Sequence, residues 1–480
     1  MVQIPTHKVA HGGAQPLSPA ETSRVTTTET FAHPTPLPIA SSPVALIDNF
    51  GSPTLSFAVS LGARGVPLHF YGSGAGRWSR YSSRRATCPP VEDADRFLPW
   101  LRRRIRSGEI RRVAPTTDLI AFYVSMLRED FAPEVRRTIP PLPELERALI
   151  KTRFGAACAR AGQAVPVTEA PDDAAAGVAT AQRLGFPLMM KPKSHLVVGD
   201  ERGRVLNDLR ELREYYRPYE ISPGRESLAE RYPELLWPLL QKYVPSARTR
   251  VFSVTGYKDP DGGIIAACLS CKRRQWPPDT GISTSQVSAA DARILSRGLE
   301  TADKLVSCGI FELELLESGT ELLAIDLNPR AFGFIDLDIA RGNDLPWLWF
   351  ESTLRPLTAD APFTAGQPLT VTPPAVIECR LPIPYTISRC INALLGVRSA
   401  DEIEADVVNA TRVIPMLGHW NDPLPLLLAN LRQLRHPGSL IRPYVAAAAA
   451  QRRRNRQAQS NTGRQQAVEQ AREGRNQPGA

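Results

Sequence analysis

Long apolar runs are missing from this sequence. No stretch of about 18 apolar residues occurs in its 480 residues, so nothing in it reads as a membrane-crossing helix. The opening MVQIPTHKVAHGGAQPL holds no apolar leader core or cleavage site, and the expectation is a cytoplasmic protein. Cysteine is scarce and scattered, seven in all, as suits reduced thiols. Cys268 and Cys271 form a CxxC pair, but no second pair or nearby His completes a zinc site. Both lie in the strand-like IIAACLSCKRR, where packing accounts for them. There is no Ser–His–Asp or Cys–His arrangement to supply a protein nucleophile, no RNA- or DNA-binding motif and no internal repeat. The net charge of +9 is uneven, because residues 451 to 480 carry seven Arg against two Glu among Gln, Asn and Gly. A tail of that composition cannot build a core, so it is expected to be disordered and to make only weak, non-specific contact with polyanions.

What is present is globular. A 42% hydrophobic content over this length supports two or three domains. Residues 1–42, rich in Pro, Thr, Ser and Ala, are expected to be disordered. From Pro43, VALIDNF reads as a buried strand, TLSFAVSLGARG as a helix closed by Gly65, and VPLHFYG as a second strand. RRVAP follows as another strand, and Asp118 stands where a cap would open the helix TDLIAFYVSMLRED. This β–α alternation implies a Rossmann-like parallel domain over 43–143.

The composition changes at Glu144. ELERALIKTRFGAACARAG has helical spacing and ends at Gly162, and AAAGVATAQRLG gives another helix, followed by the short strand FPLMMKP. ELLWPLLQKYV then leads to RVFSVTGY, GIIAACLSCKRRQW, FELELLE and ELLAIDLNP, a largely antiparallel α+β unit over 144–355. An ordered extension over 356–445 offers VIECRLP and the helix-like NDPLPLLLANLRQLRHPG, ahead of a basic tail over 446–480.

Chemistry concentrates in two of these strands. FELELLE places Glu312 and Glu314 on one face and Leu313 and Leu315 on the other; AIDLNPR does the same with Asp326, Asn328 and Arg330. Two carboxylates, a third carboxylate and an amide oxygen suit Mg²⁺, and Arg330 could fork onto a phosphate or acyl phosphate. The register decides whether they meet. A two-residue turn at Ser318-Gly319 sends the two strands' acids to opposite faces, whereas a three-residue loop, Ser318-Gly319-Thr320, puts Glu312 opposite Asp326 and all the acids on one face. Lys272 and Arg274 alternate with Cys271 and Arg273, so both should extend from one face, ahead of a turn containing Pro277, Pro278 and Gly281. Lys191 ends the strand FPLMMK, and Lys151 opens a helix. Each piece alone is equally a solvated strand face or a surface lysine.

Taken together, residues 151 to 350 resemble the ATP-grasp superfamily, and its carboxylate–amine ligase branch in particular. The resemblance rests on a helix-opening Lys, a strand-borne Lys followed by Pro, the hinge LLQKYVPS, the basic K-x-R-x-W-P-P stretch, and Glu…Asp-x-Asn-Pro-Arg. RWSRYSSR and VAPTTD are similar to the Rossmann-like domain that precedes the grasp in these ligases. The resemblance implies a pre-ATP-grasp domain followed by a two-subdomain ATP-grasp fold with antiparallel sheets. It implies that Lys151 and Lys191 contact ATP phosphates and that Gln241, Lys242 and Val244 meet the adenine. Glu314, Asp326 and Asn328, with Glu312 beside them, would be ligands for Mg²⁺, or for Mn²⁺ in its place. Lys272, Arg274 and Arg330 would stand near the transferred phosphate or acyl substrate.

The implied reaction joins a small-molecule carboxylate to an amine with release of ADP and phosphate, and a homodimer is the default assembly for such ligases. Bicarbonate-using, enol-activating and non-catalytic nucleotide-binding relatives share these motifs. Two departures bear on the nucleotide pocket. KPKSHLVVGDERG stands in place of a glycine-rich phosphate flap, so phosphate closure would fall to Ser194, His195 or a hairpin around Gly199 to Gly203. VPSARTR lacks the acid that would bind ribose.

Overall fold

The structure is a computed structural model that describes residues 43–48, 52–199, 203–245, 250–276, 281–359, 363, 375–381, 383, 385–386, 410–416 and 418–434. The segments expected to be disordered at both ends lie outside the described residues, as do Pro277 and Pro278 of the expected turn. Among the described residues, no helix is long and apolar enough to cross a membrane.

The first layer is a parallel sheet of β1 (Val44–Asp48), β2 (Leu68–Gly72) and β3 (Ser82–Ala86) in the order β1-β2-β3. The helix Ser52–Gly62 returns β1 to β2, and Gly65 at φ +77° turns the chain after it. RRVAP does not form a full strand. It makes one parallel bridge, Ala45 to Val113, before Pro115 removes the next backbone donor. β3 has no sequence signature, because SSRRA is a mostly exposed edge strand without apolar alternation.

The helical spacing from Glu144 to Gly162 belongs to two helices, Leu142–Leu149 and Lys151–Arg160, the second opened by Lys151 as expected. Ile150 between them is extended at φ −103°, ψ 106°. That break makes Lys151 the first residue of its helix, where its backbone N–H donates to Lys193 O at 2.8 Å.

A four-stranded antiparallel sheet comprises β4 (Thr168–Glu169), β5 (Leu188–Lys191), β6 (Arg204–Leu206) and β7 (Leu239–Lys242), in the order β4-β7-β5-β6. The larger sheet runs β12-β11-β8-β9-β10-β13-β14. Its strands are β8 (Val251–Asp259), β9 (Gly263–Trp276), β10 (Ile282–Ser288), β11 (Gly309–Ser318), β12 (Glu321–Asn328), β13 (Ile377–Arg380) and β14 (Arg412–Pro415). All its pairings are antiparallel except β13 with β14. One face is closed by the amphipathic helix Ala292–Leu305, whose Ile294, Leu299 and Ala302 bury against Leu313, Leu315, Ala324 and Leu327. The other face carries Glu312, Glu314, Asp326 and Asn328. The alternating strand pattern thus places the acids opposite the core.

Candidate active site

The register between β11 and β12 follows neither expected loop. Ser318 pairs with Glu321 across a two-residue turn of Gly319 and Thr320, with Gly319 at φ +61°. Continued unbroken, that register would set Glu314 opposite Ile325 and send Asp326 to the apolar face. A bulge prevents it. Leu315 pairs with Ala324 and Glu314 with Asp326, so Ile325 is an extra residue, and Glu312 then falls opposite Asn328. Ile325 and Asp326 both line the same cavity, of about 630 Å³.

The cavity lies between the two antiparallel sheets and gathers most of the residues singled out in sequence. Lys151, Lys191, Gln241, Lys242, Val244, Lys272, Glu312, Glu314, Asp326, Asn328 and Arg330 all line it. Opposite charges are already paired there. Lys151 Nζ donates to Asp326 Oδ1 at 2.8 Å, and Lys272 Nζ to Glu314 Oε1 at 2.8 Å. Lys191 Nζ donates to Gln241 Oε1 at 3.1 Å, and the Gln241 amide is itself anchored to Thr168 Oγ1 at 2.8 Å. Lys242 points its ammonium away, onto Leu184 O at 2.9 Å, so its side chain caps the helix Ala174–Leu184.

Burial and charge tune these groups differently. Burial, reinforced by the Lys151 ammonium, lowers the Lys191 pKa to about 8. Lys272 is desolvated too, yet Glu314 beside it more than offsets this and holds it above its ordinary value. For Asp326, desolvation is outweighed by Lys151, which leaves the carboxyl below its usual range. Glu312 goes the other way: burial and the neighbouring Glu314 push it up to about 7. Its two oxygens accept from Ser253 Oγ at 2.9 Å and Asn328 Nδ2 at 3.1 Å.

Arg330 is fixed from three sides. Its guanidinium donates to Asp118 Oδ1 at 2.6 Å, Asn328 Oδ1 at 3.0 Å and Ala331 O at 2.8 Å. Asp118 is not the helix cap expected from sequence. Thr117, extended at φ −147° and ψ 165°, takes that role through its hydroxyl, which leaves the Asp118 carboxylate for Arg330. Although desolvation opposes it, the half-buried Asp118 is held below its ordinary pKa by that guanidinium. The general signal for it was position: a polar residue just past a strand-like segment, at a helix start.

Arg274 departs from expectation. Gln286 pairs with Lys272 but Ser285 with Arg274, so Arg273 is an extra residue that breaks the alternation. Lys272 lines the cavity, whereas Arg274 is buried with its guanidinium 5.6 Å from the Tyr385 ring and is not among the lining residues.

Sequence reasoning gave no site role to Met189, Val251 and Leu316 near the hinge, or to Gln275, Ser283, Phe334, Leu381 and Met416 elsewhere on the wall. Single apolar residues on strands carry no mark that separates a pocket wall from a core.

Two carboxylates and an amide oxygen form a hard-oxygen donor set of the kind that Mg²⁺ completes with phosphate and water oxygens. Among the described residues, no group of three or more His, Cys, Asp or Glu side chains closes on one point. Glu314 and Asp326, paired across β11 and β12, are each covered by a lysine, Lys272 and Lys151. The set therefore fits an ion that arrives with phosphates able to draw the lysines away.

Neither a family model nor a curated protein sequence matches the chain. Solved structures do. A biotin carboxylase–βγ-ATP complex from Campylobacter jejuni superposes with a TM-score of 0.51 at 16% identity, over 65% of this chain and 70% of that one. An L-amino acid ligase from Bacillus licheniformis gives 0.51 at 15%, over 70% and 78%. The biotin carboxylase domain dimer of 2-oxoglutarate carboxylase from Hydrogenobacter thermophilus, in complex with MgADP, ADP and bicarbonate, gives 0.53 at 13%, over 67% and 71%. These are ATP-grasp proteins, and with its paired antiparallel sheets and the cavity between them, the chain has the fold of the ATP-grasp superfamily.

Proposed function

We propose that this chain is an ATP-dependent carboxylate–amine ligase that forms an amide or peptide bond through an acyl phosphate. One observation carries the reading: a row of oxygen donors, Glu314, Asp326 and Asn328, is interleaved with four cations, Lys151, Lys191, Lys272 and Arg330, in a single cavity. Such an arrangement neutralises polyphosphate and holds a transferring phosphoryl group. The chain also shares its fold with a solved L-amino acid ligase, whose name describes a reaction of this class.

In this reading the adenine lies at the hinge, against Met189, Val244 and Leu316, and the phosphates lie along Lys151 and Lys191. Glu314, Asp326 and the Asn328 amide oxygen would hold Mg²⁺, or Mn²⁺ in its place, and the ion supplies positive charge to the phosphate oxygens. Glu312 and Arg330 fix the Asn328 amide from either side. Lys272 and Arg330 orient the substrate carboxylate, one oxygen of which bonds to the γ-phosphorus as the β–γ bridging bond breaks and ADP leaves. The amine nitrogen then bonds to the acyl carbon, the acyl–phosphate bond breaks, and the nitrogen loses a proton. Lys151 and Lys272 thus exchange a carboxylate partner for a phosphate one.

The test is ADP formation by the full chain with ATP, Mg²⁺ and pooled carboxylates and amines, with product masses recorded. ADP formation that depends on both a carboxylate and an amine is expected. Tight ATP binding without turnover would instead mark a nucleotide-binding regulatory protein. ADP formation driven by bicarbonate alone would mark a carboxylase.

A further inference from the structure

The lining of the cavity extends past the residues assigned to the nucleotide, and follows an order that the chain itself lays down. Along β12 and the segment after it come Ile325, then Asp326 and Asn328, then Arg330, then Gly333 and Phe334, all lining the cavity. Ile325 belongs to an apolar cluster with Val244, Val251, Leu316 and Leu323, beside the hinge. Phe334 belongs to a different one, with Ile335, Met416 and Leu381. The acid row and Arg330 lie between them. Two apolar ends therefore flank one polar middle, and adenine accounts for only the first.

The second end is built by the extension. β13 joins the large sheet beside β10, with Ser285 opposite Arg380, and Leu381 N donates to Thr284 O at 3.0 Å. That places Leu381 next to Ser283 and Ile282. Met416 N donates to Arg380 O at 2.6 Å from the other side of β13, and Met416, like Phe334 only 4% exposed, offers the cavity an edge of its side chain. Phe334 is held by Phe332, ring to ring at 4.7 Å. Ile282 is 53% exposed although it lines a cavity, a large apolar side chain with its surface still open to an occupant. Gln275 and Ser283 face each other across β9 and β10 and supply polar groups beside this wall. From Lys272 to Gln275 is three residues, one of them the Arg273 bulge, so at ~3.3 Å per regular step the stretch spans at most about 10 Å. A side chain of leucine or phenylalanine size spans much of that distance.

We propose that Ile282, Phe334, Leu381 and Met416 form the specificity wall for the carboxylate substrate, which is an acid or amino acid bearing an apolar side chain. The inference rests on the ligase reading. Arg330 stands between the acid row and the wall, so a molecule that fills the wall and meets Arg330 has its carboxylate turned toward the transferred phosphate. The wall therefore selects the phosphoryl acceptor and not the amine.

Hydroxylamine makes the test independent of the unknown amine. The acyl phosphate reacts with it to give a hydroxamate and inorganic phosphate, the nitrogen losing one proton. The full chain is incubated with ATP, Mg²⁺, hydroxylamine and single acids: leucine, phenylalanine and hexanoate against serine, glutamate and bicarbonate. Leucine, phenylalanine and hexanoate are expected to exceed the polar acids by tenfold or more in kcat/KM, since each buried methylene contributes roughly fourfold. Met416→Glu and Leu381→Asp are expected to raise KM for the apolar acids at least tenfold, while KM for ATP holds and Met416→Leu retains the preference. Equal or greater use of polar acids would overturn the wall and leave the ligase standing. Absence of hydroxamate with every acid would overturn the ligase. In that case ligand-observed NMR of phenylalanine with the full chain and Mg·ATP decides the wall: binding that Met416→Glu abolishes upholds it, and no binding overturns it.

Discussion

Lys191 is asked to hold a charge that its surroundings disfavour, and this gives two measurable effects of opposite sign. Its folded pKa is about 8 against a reference of 10.5, with burial the larger cause and Lys151 the second. A drop of that size disfavours the ammonium by on the order of 3 kcal/mol. For a lysine with a lowered folded pKa, the penalty is complete below about pH 8 and fades as the pH rises toward 10.5. Lys191→Met should therefore stabilise the empty protein at pH 7, read as a higher Tm that converges on wild type above about pH 10. The same change should weaken nucleotide binding by roughly ten- to a hundredfold, because a charge-assisted bond to phosphate is lost.

Phosphate arrival reverses the penalty and draws a proton onto Lys191. At pH 8 about half of the empty protein carries a neutral Lys191, so binding a non-hydrolysable ATP analogue with Mg²⁺ should take up about half a proton there. At pH 8.5 the uptake should rise to about three-quarters of a proton, and at pH 7 it should fall to about 0.1. Calorimetry in buffers of different ionisation enthalpy measures it directly. An uptake independent of pH between 7 and 8.5, or one equally large in Lys191→Met, would refute the assignment of Lys191 to the phosphates.

Other parts of the site and fold give further tests. Asp326→Ala removes one donor of the proposed Mg²⁺ set and leaves Lys151 without its 2.8 Å partner; ADP formation should fall by at least about a hundredfold, and full activity at saturating Mg²⁺ would exclude Asp326 from the set. Asp118→Asn keeps the shape but discharges the partner of Arg330; KM for the carboxylate should rise by about tenfold, more than KM for ATP does. His419 Nε2 sits 2.8 Å from Asp336 Oδ1, and although burial opposes it, that carboxylate raises the imidazole pKa above 6.5. The contact is then fully stabilising below about pH 6.5 and is lost as the pH rises through the raised value, so His419→Gln should lower Tm at pH 6 more than at pH 8.5. Leu313→Ala, at a fully buried position against the helix Ala292–Leu305, should destabilise by about 2–5 kcal/mol in denaturant titration.

Alternation made the chemistry legible in FELELLE and AIDLNPR, because period-two patterning fixes which side chains share a face. It could not show the bulges at Ile325 and Arg273. A bulge is one unpaired residue with no propensity of its own, yet the first brings Asp326 to Glu314 and the second takes Arg274 away from Lys272. β3 and β10 were missed for a related reason: SSRRA and ISTSQVS are polar strands whose place comes from neighbours rather than from burying an apolar face. The helix start at Lys151 was legible, whereas the extended Ile150 before it has no propensity signal, and the contact of Lys151 N with Lys193 O accompanies that break. Asp118 was legible as a helix start and illegible as a partner of Arg330, which lies 212 residues away in sequence.

The segment after Lys191 shows how a missing motif changes the workings of a site. A glycine-rich flap can open because it buries nothing. Here Ser194 caps a single turn, His195–Val198, and Leu196, Val197 and Val198 are each no more than 2% exposed in the core between the helices of the first sheet. Arg225 donates to the carbonyls of His195 and Leu196, at 2.6 and 3.3 Å, and Ser222 N to that of Val197 at 3.2 Å. Lifting this turn would expose three aliphatic side chains at about 1.5–3 kcal/mol each, before any hydrogen bond is lost. The turn is therefore a fixed wall. His195 reaches the cavity from it with its ring held through Nδ1 on Gly199 O at 2.6 Å, which leaves Nε2 as the nitrogen available to the cavity. Of the three closures named for this segment, Ser194 and His195 are thus held in place, and the hairpin around Gly199 to Gly203 includes residues 200–202, which lie outside the described residues.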